Sequence, residues 1–199
     1  HIRNMAGFGV PVIVSINKFA SDTDGEIKAL SDAAHASGAK AVTITEVHAK
    51  GGEGGEDLAK AVVKAVQDHV AAGRPFTPLF VGDAPIMEKV EAIATRMYKA
   101  NEVQVESSAK KQLDKIISWG YGNLPVCMAK TQYSFSHDAG KLGAPSDFTL
   151  PIREFRLNSG AGFIVAILGN MMTMPGLPKR PAANDMDMDD DGNQTGIFG

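Results

Sequence analysis

Cysteine is all but missing from this chain: Cys127 stands alone among 199 residues. No internal disulfide can form, which points to a reducing, cytoplasmic setting rather than a disulfide-stapled secreted domain. Long apolar runs are missing too. None approaches the roughly 18–20 residues of a membrane-spanning helix, so no membrane role is expected. An excess of positive charge is also lacking, with 20 Lys and Arg against 23 Asp and Glu. The net charge of −3 leaves no basic footprint for a nucleic-acid partner. No secretory signal opens the chain, which begins His1-Ile2-Arg3-Asn4. The first residue is not Met and a strand is expected almost at once, so the chain is read as part of a longer protein. A Walker A sequence, GxxxxGK[ST], occurs nowhere. Internal repeats are absent as well.

What is present suffices for a packed α/β protein. With 44% hydrophobic residues, the chain can bury one sizeable core or two smaller ones. Val10–Ile16 is a β-branched run that predicts a strand buried on both faces of a parallel sheet. Ser21–Asp24 offers N-caps for a helix whose apolar stripe is Ile27, Leu30 and Ala34, with Gly38 as its stop. Ala41–Glu46 reads as a second strand. Lys50–Gly55 is a glycine-rich loop, and Leu58, Val62, Val66 and Val70 mark a helix face after it. Residues 10–70 thus read as strand–helix–strand–helix, the repeating unit of an α/β sheet, and Arg74-Pro75 breaks the pattern before a second part.

In the second part, Phe76–Val81 is a strand candidate. Asp83 and Pro85 open a helix carrying Ile86, Val90, Ile93 and Met97. Val103–Val105 is a short strand. Ser107 or Ser108 caps a helix with Leu113, Ile116 and Ile117, ended by Gly120. Leu124–Met128, Phe148–Leu157 and Phe163–Leu168 are further strands. Pro151 assigns the second of these to a sheet edge, and Cys127 is expected to be a buried thiol. Residues 134–147 are loop. Residues 169–183, with three prolines, read as an ordered surface loop, and the acidic tail as a hairpin turning at Asp191-Gly192.

Several places carry chemistry. Ligands in open α/β sheets bind beyond the C-terminal ends of strands, where Asn17, Lys18 and Phe19 stand. A strand ending in Asn-Lys is shared with guanine-nucleotide proteins. Their motif requires Asp two residues after the Lys, and Ala20 stands there. The loop Lys50–Gly55 either turns its amides to an anion or merely connects strand to helix. His48, just upstream, is placed to face the same cleft. In the tail, Asp187, Asp189, Asp191 and Gly192 match the first half of an EF-hand loop. Its twelfth position needs Glu and holds Phe198, so a hairpin explains the same residues better. Lys179 and Arg180 suit either an anion or a domain or subunit contact.

Five segments taken together resemble one family: GVPVIVSINKFASDTDGEI (9–27), AKGGEGGEDLA (49–59), GNLPVCMAKTQYSFS (122–136), FTLPIREFRLNSGAGFIV (148–165) and MTMPGLPKRPAA (172–183). They are similar, in order, to the C-terminal part of formate–tetrahydrofolate ligases. The resemblance implies that residues 1–73 are the tail of a nucleotide-binding α/β domain, the last strands of a P-loop-type parallel sheet, and that 74–199 form a smaller C-terminal α/β domain. It implies ATP with Mg2+, formate and tetrahydrofolate as substrates, and 10-formyltetrahydrofolate as product by way of formyl phosphate. It also implies a homo-oligomer. The family's phosphate-binding loop and the residues holding formyl phosphate belong to its N-terminal half. No catalytic residue is therefore expected here, and the chain alone is expected to be inactive. What the resemblance carries over is part of the folate site. The pterin stacks between two aromatic rings, of which one matches Phe19 and the other falls at His48, where the family often has Trp. Asn17 and Lys18 are expected near the nucleotide, and Lys50, Gly51 and Gly52 near the folate. Two other readings stand beside this one: a non-catalytic assembly domain of the same enzyme, and a free-standing α/β nucleotide-binding protein. The missing phosphate loop counts against the last.

Overall fold

The computed structural model describes residues 1–169 and 180–196. After a short helix α1 (Ile2–Ala6), the chain forms β1 (Ile13–Asn17), α2 (Asp24–Ala36) and β2 (Ala41–Thr45). A four-residue helix α3 (Val47–Lys50) and a 3-10 turn over Gly51–Gly55 lead into α4 (Glu56–Ala71). Strands β1 and β2 run parallel, Ile13 opposite Ala41 and Asn17 opposite Thr45. This strand–helix–strand–helix order is the one the hydrophobic pattern predicts.

The second part holds α5 (Ile86–Ala92), extended by a π-type turn over Ile93–Met97. It continues with β3 (Glu102–Val105), α6 (Ser107–Ser118), β4 (Val126–Ala129), β5 (Thr149–Asn158) and β6 (Phe163–Leu168). These strands form one mixed sheet in the order β3-β5-β6-β4. Pairing is parallel at β3–β5 and β4–β6, and antiparallel at β5–β6. A hairpin of β7 (Asp187–Met188) and β8 (Gln194–Thr195) follows, as the Asp-Gly signal predicts.

The main hydrophobic core lies in this second part. Ile86, Val90, Leu113, Ile116, Leu150, Ile152 and Ile164 belong to a single buried cluster, and every described member falls between residues 86 and 168. Lys89 is buried with them, fully out of solvent. Its ammonium donates to the carbonyls of Asn123 at 2.5 Å and Leu124 at 3.2 Å, and sits 5.8 Å from the Phe80 ring. Burying a charge is tolerated only with such partners. This lysine therefore ties α5 to the segment before β4. The two parts meet through Asn4, whose amide donates to the Met97 carbonyl at 2.8 Å, and through Phe8, stacked on Phe76 at 5.5 Å.

Several expectations are corrected. The first strand is not buried on both faces: Ser15 and Asn17 are exposed, and among the described residues β1 has one partner strand in a two-stranded sheet. In α2, Ile27 and Ala34 are buried while Leu30 is 57% exposed. In α4 the inward line is Leu58, Ala61, Ala65 and His69, whereas Val62, Val66 and Val70 face outward. The apolar arc of α4 is wider than the sheet it covers, so the larger side chains fall outside the contact. Phe76–Val81 is not a strand, since Pro75 and Pro78 remove ladder donors. In the helix after Pro85, Ala94 is buried rather than Ile93 or Met97, because the π-type turn rotates the helix face. Ile117 lies half-exposed at the end of α6. Pro151 sits in an interior strand, not at an edge. It is tolerated because the β5–β6 ladder starts at Ile152, leaving the proline beyond it. Cys127 is exposed rather than buried, because β4 is itself an outer strand and points this side chain away from the core. The run over 170–179, with Lys179, lies outside the described residues. Arg180 pairs with Asp185.

Candidate functional site

The C-terminal ends of β1 and β2 lie side by side, and the pairing runs one residue further: the Lys18 amide donates to the Thr45 carbonyl at 2.9 Å. Beneath this corner the hydroxyls of Ser15 and Thr45 are 2.9 Å apart, and Thr45 also donates to the Ile16 carbonyl. Two chains then leave the sheet. After β1, Phe19 enters a tight turn closed from both sides, its amide donating to Asp22 at 2.8 Å and its carbonyl accepting from the Asp22 amide. Thr23 and Glu26 follow as a complete capping box for α2. The box fixes where α2 begins, and hence where Phe19 is held. The Thr23 backbone N–H bond keeps the Glu26 carboxyl below its ordinary range, and the Thr23 hydroxyl adds to this.

After β2, Glu46 starts α3, and its carbonyl accepts from the amides of Ala49 and Lys50. The Lys50 ammonium returns to the Glu46 carboxylate at 2.6 Å. That bond holds Glu46 below the usual carboxylate range, with Lys50 and Lys18 adding their charge, and it raises Lys50. Lys18 and Lys50 thus flank one carboxylate. His48 rides on α3, so the segment expected as a glycine-rich loop is in fact a turn of helix followed by a 3-10 turn. The amides of Ala49, Lys50 and Gly51 are bound to carbonyls of Glu46 and Val47. These three amides are therefore not free to cradle an anion.

Gly54 is the residue the sequence did not single out. The Glu46 amide donates to its carbonyl at 3.1 Å. A Cβ built on Gly54 would stand 2.6 Å from the Glu46 carbonyl carbon and oxygen and 2.9 Å from the Val47 nitrogen. Two backbone segments touch there, and only glycine fits between them. The signal was in the glycine run, though nothing in the run says which glycine makes the contact.

The result is that Phe19 and His48, 29 positions apart in the chain, come together. Their ring centroids are 6.3 Å apart, the planes are inclined at 48°, and both side chains are exposed. A flat ring sandwiched between two others needs about 7 Å between the outer planes, twice the normal contact distance. The centroid separation of 6.3 Å falls short of that and the planes are not parallel, so the rings would have to swing to hold a third between them. Asn17 is exposed beside them and lines one end of a groove of about 870 Å³ between β1 and α2, with Leu30 in its wall.

Elsewhere, the segment after β4 is held by its own polar groups. Lys130 donates to the carbonyls of Thr131 and Ser134, and the buried Ser134 and Ser136 hydroxyls are 2.9 Å apart. Burial lowers Lys130 from the ordinary lysine value. In the tail hairpin, Asp189 accepts from the amides of Asp191 and Asn193 and from the Asn193 side chain. Its oxygens are used within the turn rather than offered to a cation. Among the described residues no group of three or more His, Cys, Asp or Glu is arranged to hold a metal ion. No described helix is long and apolar enough to cross a membrane.

An exposed pair of rings beyond two parallel strands, carried on the segments NKFASDTD and AKGGEGGED, is the arrangement to set against known proteins. A family model described as formate–tetrahydrofolate ligase matches residues 1–198, and the chain belongs to that family.

Proposed function

We propose that this chain supplies one wall of the folate site in an ATP-dependent ligase joining formate to tetrahydrofolate, with the pterin held between Phe19 and His48. The observation that carries this reading is the exposed ring pair at 6.3 Å, held at the strand ends. Both rings are positioned by rigid local devices, the Asp22 turn on one side and the Gly54 contact on the other. Stacking contributes about 1 kcal/mol per aromatic pair beyond the area buried. Imidazole presents a smaller face than indole, so His48 contributes less than a Trp there. Lys50, Gly51 and Gly52 are assigned to the folate side of this site, and Asn17 and Lys18 to the nucleotide side.

In this reading formate takes the γ-phosphoryl group of ATP to give formyl phosphate with release of ADP, and the folate amine then attacks the formyl carbonyl and expels phosphate to give 10-formyltetrahydrofolate. The described residues do not fit Mg2+ and ATP phosphates. The chain has no Walker A sequence, the amides at 49–51 are spent, and the described residues hold no acidic cluster for a metal. No phosphoryl-transfer step is therefore placed on this chain. Phosphate handling falls to another part of the enzyme, and the 199 residues alone are expected to form no 10-formyltetrahydrofolate.

The test is calorimetry of the chain with tetrahydrofolate. Binding is expected, weakened about five- to tenfold by Phe19→Ala, the loss of roughly 1 kcal/mol of stacking, and unchanged or improved by His48→Trp. A large loss with His48→Trp would give His48 another role. Absence of any binding would favour the second reading, a non-catalytic domain for assembly of the enzyme or its oligomer. The outward valines of α4 support that alternative, because Val62, Val66 and Val70 form an uncovered apolar stripe.

A further inference from the structure

The opposite end of the two-stranded sheet holds a second pocket. Five residues of strand, about 16 Å, separate it from Phe19 and His48. It opens where the chain enters β1 and β2 and where α4 ends, and its volume is about 520 Å³. Lys40, His69 and Arg74 line it together with Asp68. The carboxylate of Asp68 is taken by Lys64 at 3.1 Å. Most other lysines of this part, Lys28, Lys50, Lys60 and Lys64, are committed to carboxylates on their own helices. Lys40 and Arg74 have no ion pair or side-chain hydrogen bond among the described residues. Val10, Val12, Ala39 and Ala72 supply an apolar wall.

We propose that this pocket binds a small organic phosphate, with Lys40 and Arg74 holding the dianion and the apolar wall holding its organic body. A phosphate monoester carries close to two negative charges near neutral pH, which two uncommitted cations match. His69 adds a ring N–H donor in either protonation state. The ends of α2 and α4 also face this side, and each brings about half a negative charge. Their last carbonyls are met by capping amides, those of α2 by Ser37, Gly38 and Ala39 and those of α4 by Ala72 and Gly73. Two full positive charges outweigh what remains. The volume exceeds the need of inorganic phosphate and falls in the range of small-molecule sites.

The test is an amide and side-chain NMR titration of the 199-residue chain with phenyl phosphate, inorganic phosphate and benzoate. Saturable shifts centred on Lys40, His69 and Arg74 are expected, with phenyl phosphate binding more tightly than either of the others. The double variant Lys40→Gln, Arg74→Gln should weaken phenyl phosphate about tenfold or more, because charge-assisted bonds are lost. These side chains are exposed, and the spectrum of the variant reports whether it is folded. If it is not, the wild-type chain still decides: affinity should fall steeply between low and high salt. Shifts that do not saturate, equal binding of benzoate, an unaffected variant or salt-independent affinity would each overturn the proposal. A variant that loses thermal stability but never bound phenyl phosphate as wild type would show that the cations only offset the helix ends.

Discussion

At the scale of single residues, the clearest constraint is a missing side chain. Gly54 lets the end of its turn lie against Glu46 and Val47, with no room for a methyl group. Neighbouring Gly52 has nothing within 4 Å of where its Cβ would be. Gly54→Ala is therefore expected to destabilise the chain by about 2–3 kcal/mol, in the range of overpacking, and to displace α3 with His48. Gly52→Ala should be nearly neutral. Thermal unfolding of the two variants checks this, and equal melting temperatures would remove the argument. Phe19 and His48 were legible as a pair only through the family resemblance. Residue type alone left both undecided, since a lone His or Phe is usually packing. Cys127 departs from its expected burial for a related reason. Apolar neighbours on a strand mark a sheet, but do not say which face of an outer strand meets the core.

At the scale of elements, the sequence places the start of α2 within the four candidates Ser21–Asp24, the structure chooses Thr23, and the energetics follow from that cap. Thr23 both donates to and accepts from Glu26. Thr23→Ala should cost about 1 kcal/mol at neutral pH, the usual loss for an N-cap. The pH dependence has a definite sign. Glu26 is lowered from 4.5 in the folded chain. Its contribution is therefore present above that value and is lost as pH falls through it and through the lower folded pKa. The gap between wild type and Thr23→Ala should narrow in urea unfolding at about pH 3.5, below the ordinary carboxylate range. A gap that stays constant would mean the carboxylate plays no part. Glu46 behaves with the same sign through Lys50. In α4, by contrast, the periodicity named a face that the sheet does not cover. Helical spacing identifies apolar residues on a side, but when the apolar arc is wide it leaves open which half of the arc is buried.

At the scale of the whole molecule, the two parts are unequally secured. The mixed sheet β3-β5-β6-β4 carries the main core, with Leu150, Ile152 and Ile164 fully buried. Among the described residues the parallel pair β1–β2 has no further strand at either edge and only a few buried side chains, Ile16, Ile27, Ala34 and Ala65 among them. Two-stranded sheets are marginal without further packing, and local opening follows local burial. Amide hydrogen exchange should therefore be much slower in β5 and β6 than in β1 and β2. Tetrahydrofolate, if it bridges Phe19 and His48, should slow exchange at the ends of β1 and β2 specifically. Uniform protection across both sheets would contradict this account.

The sequence by itself determined the family, the order of the main strands and helices apart from the segments over 2–6, 47–55 and 76–81, a cap for α2 within Ser21–Asp24, the stops at Gly38 and Gly120 and the tail hairpin. Each depends on residues adjacent in the chain or on a run long enough to be distinctive. Tertiary structure decided what depends on distant neighbours. It placed Pro151 in an interior strand, where the adjoining ladder begins one residue later. It turned the valines of α4 outward, exposed Cys127 on an outer strand and buried Lys89 against two carbonyls. It also brought Phe19 to within 6.3 Å of His48. Parallel pairing sets the last of these: two strands in register end at the same level, so whatever follows each of them meets in space.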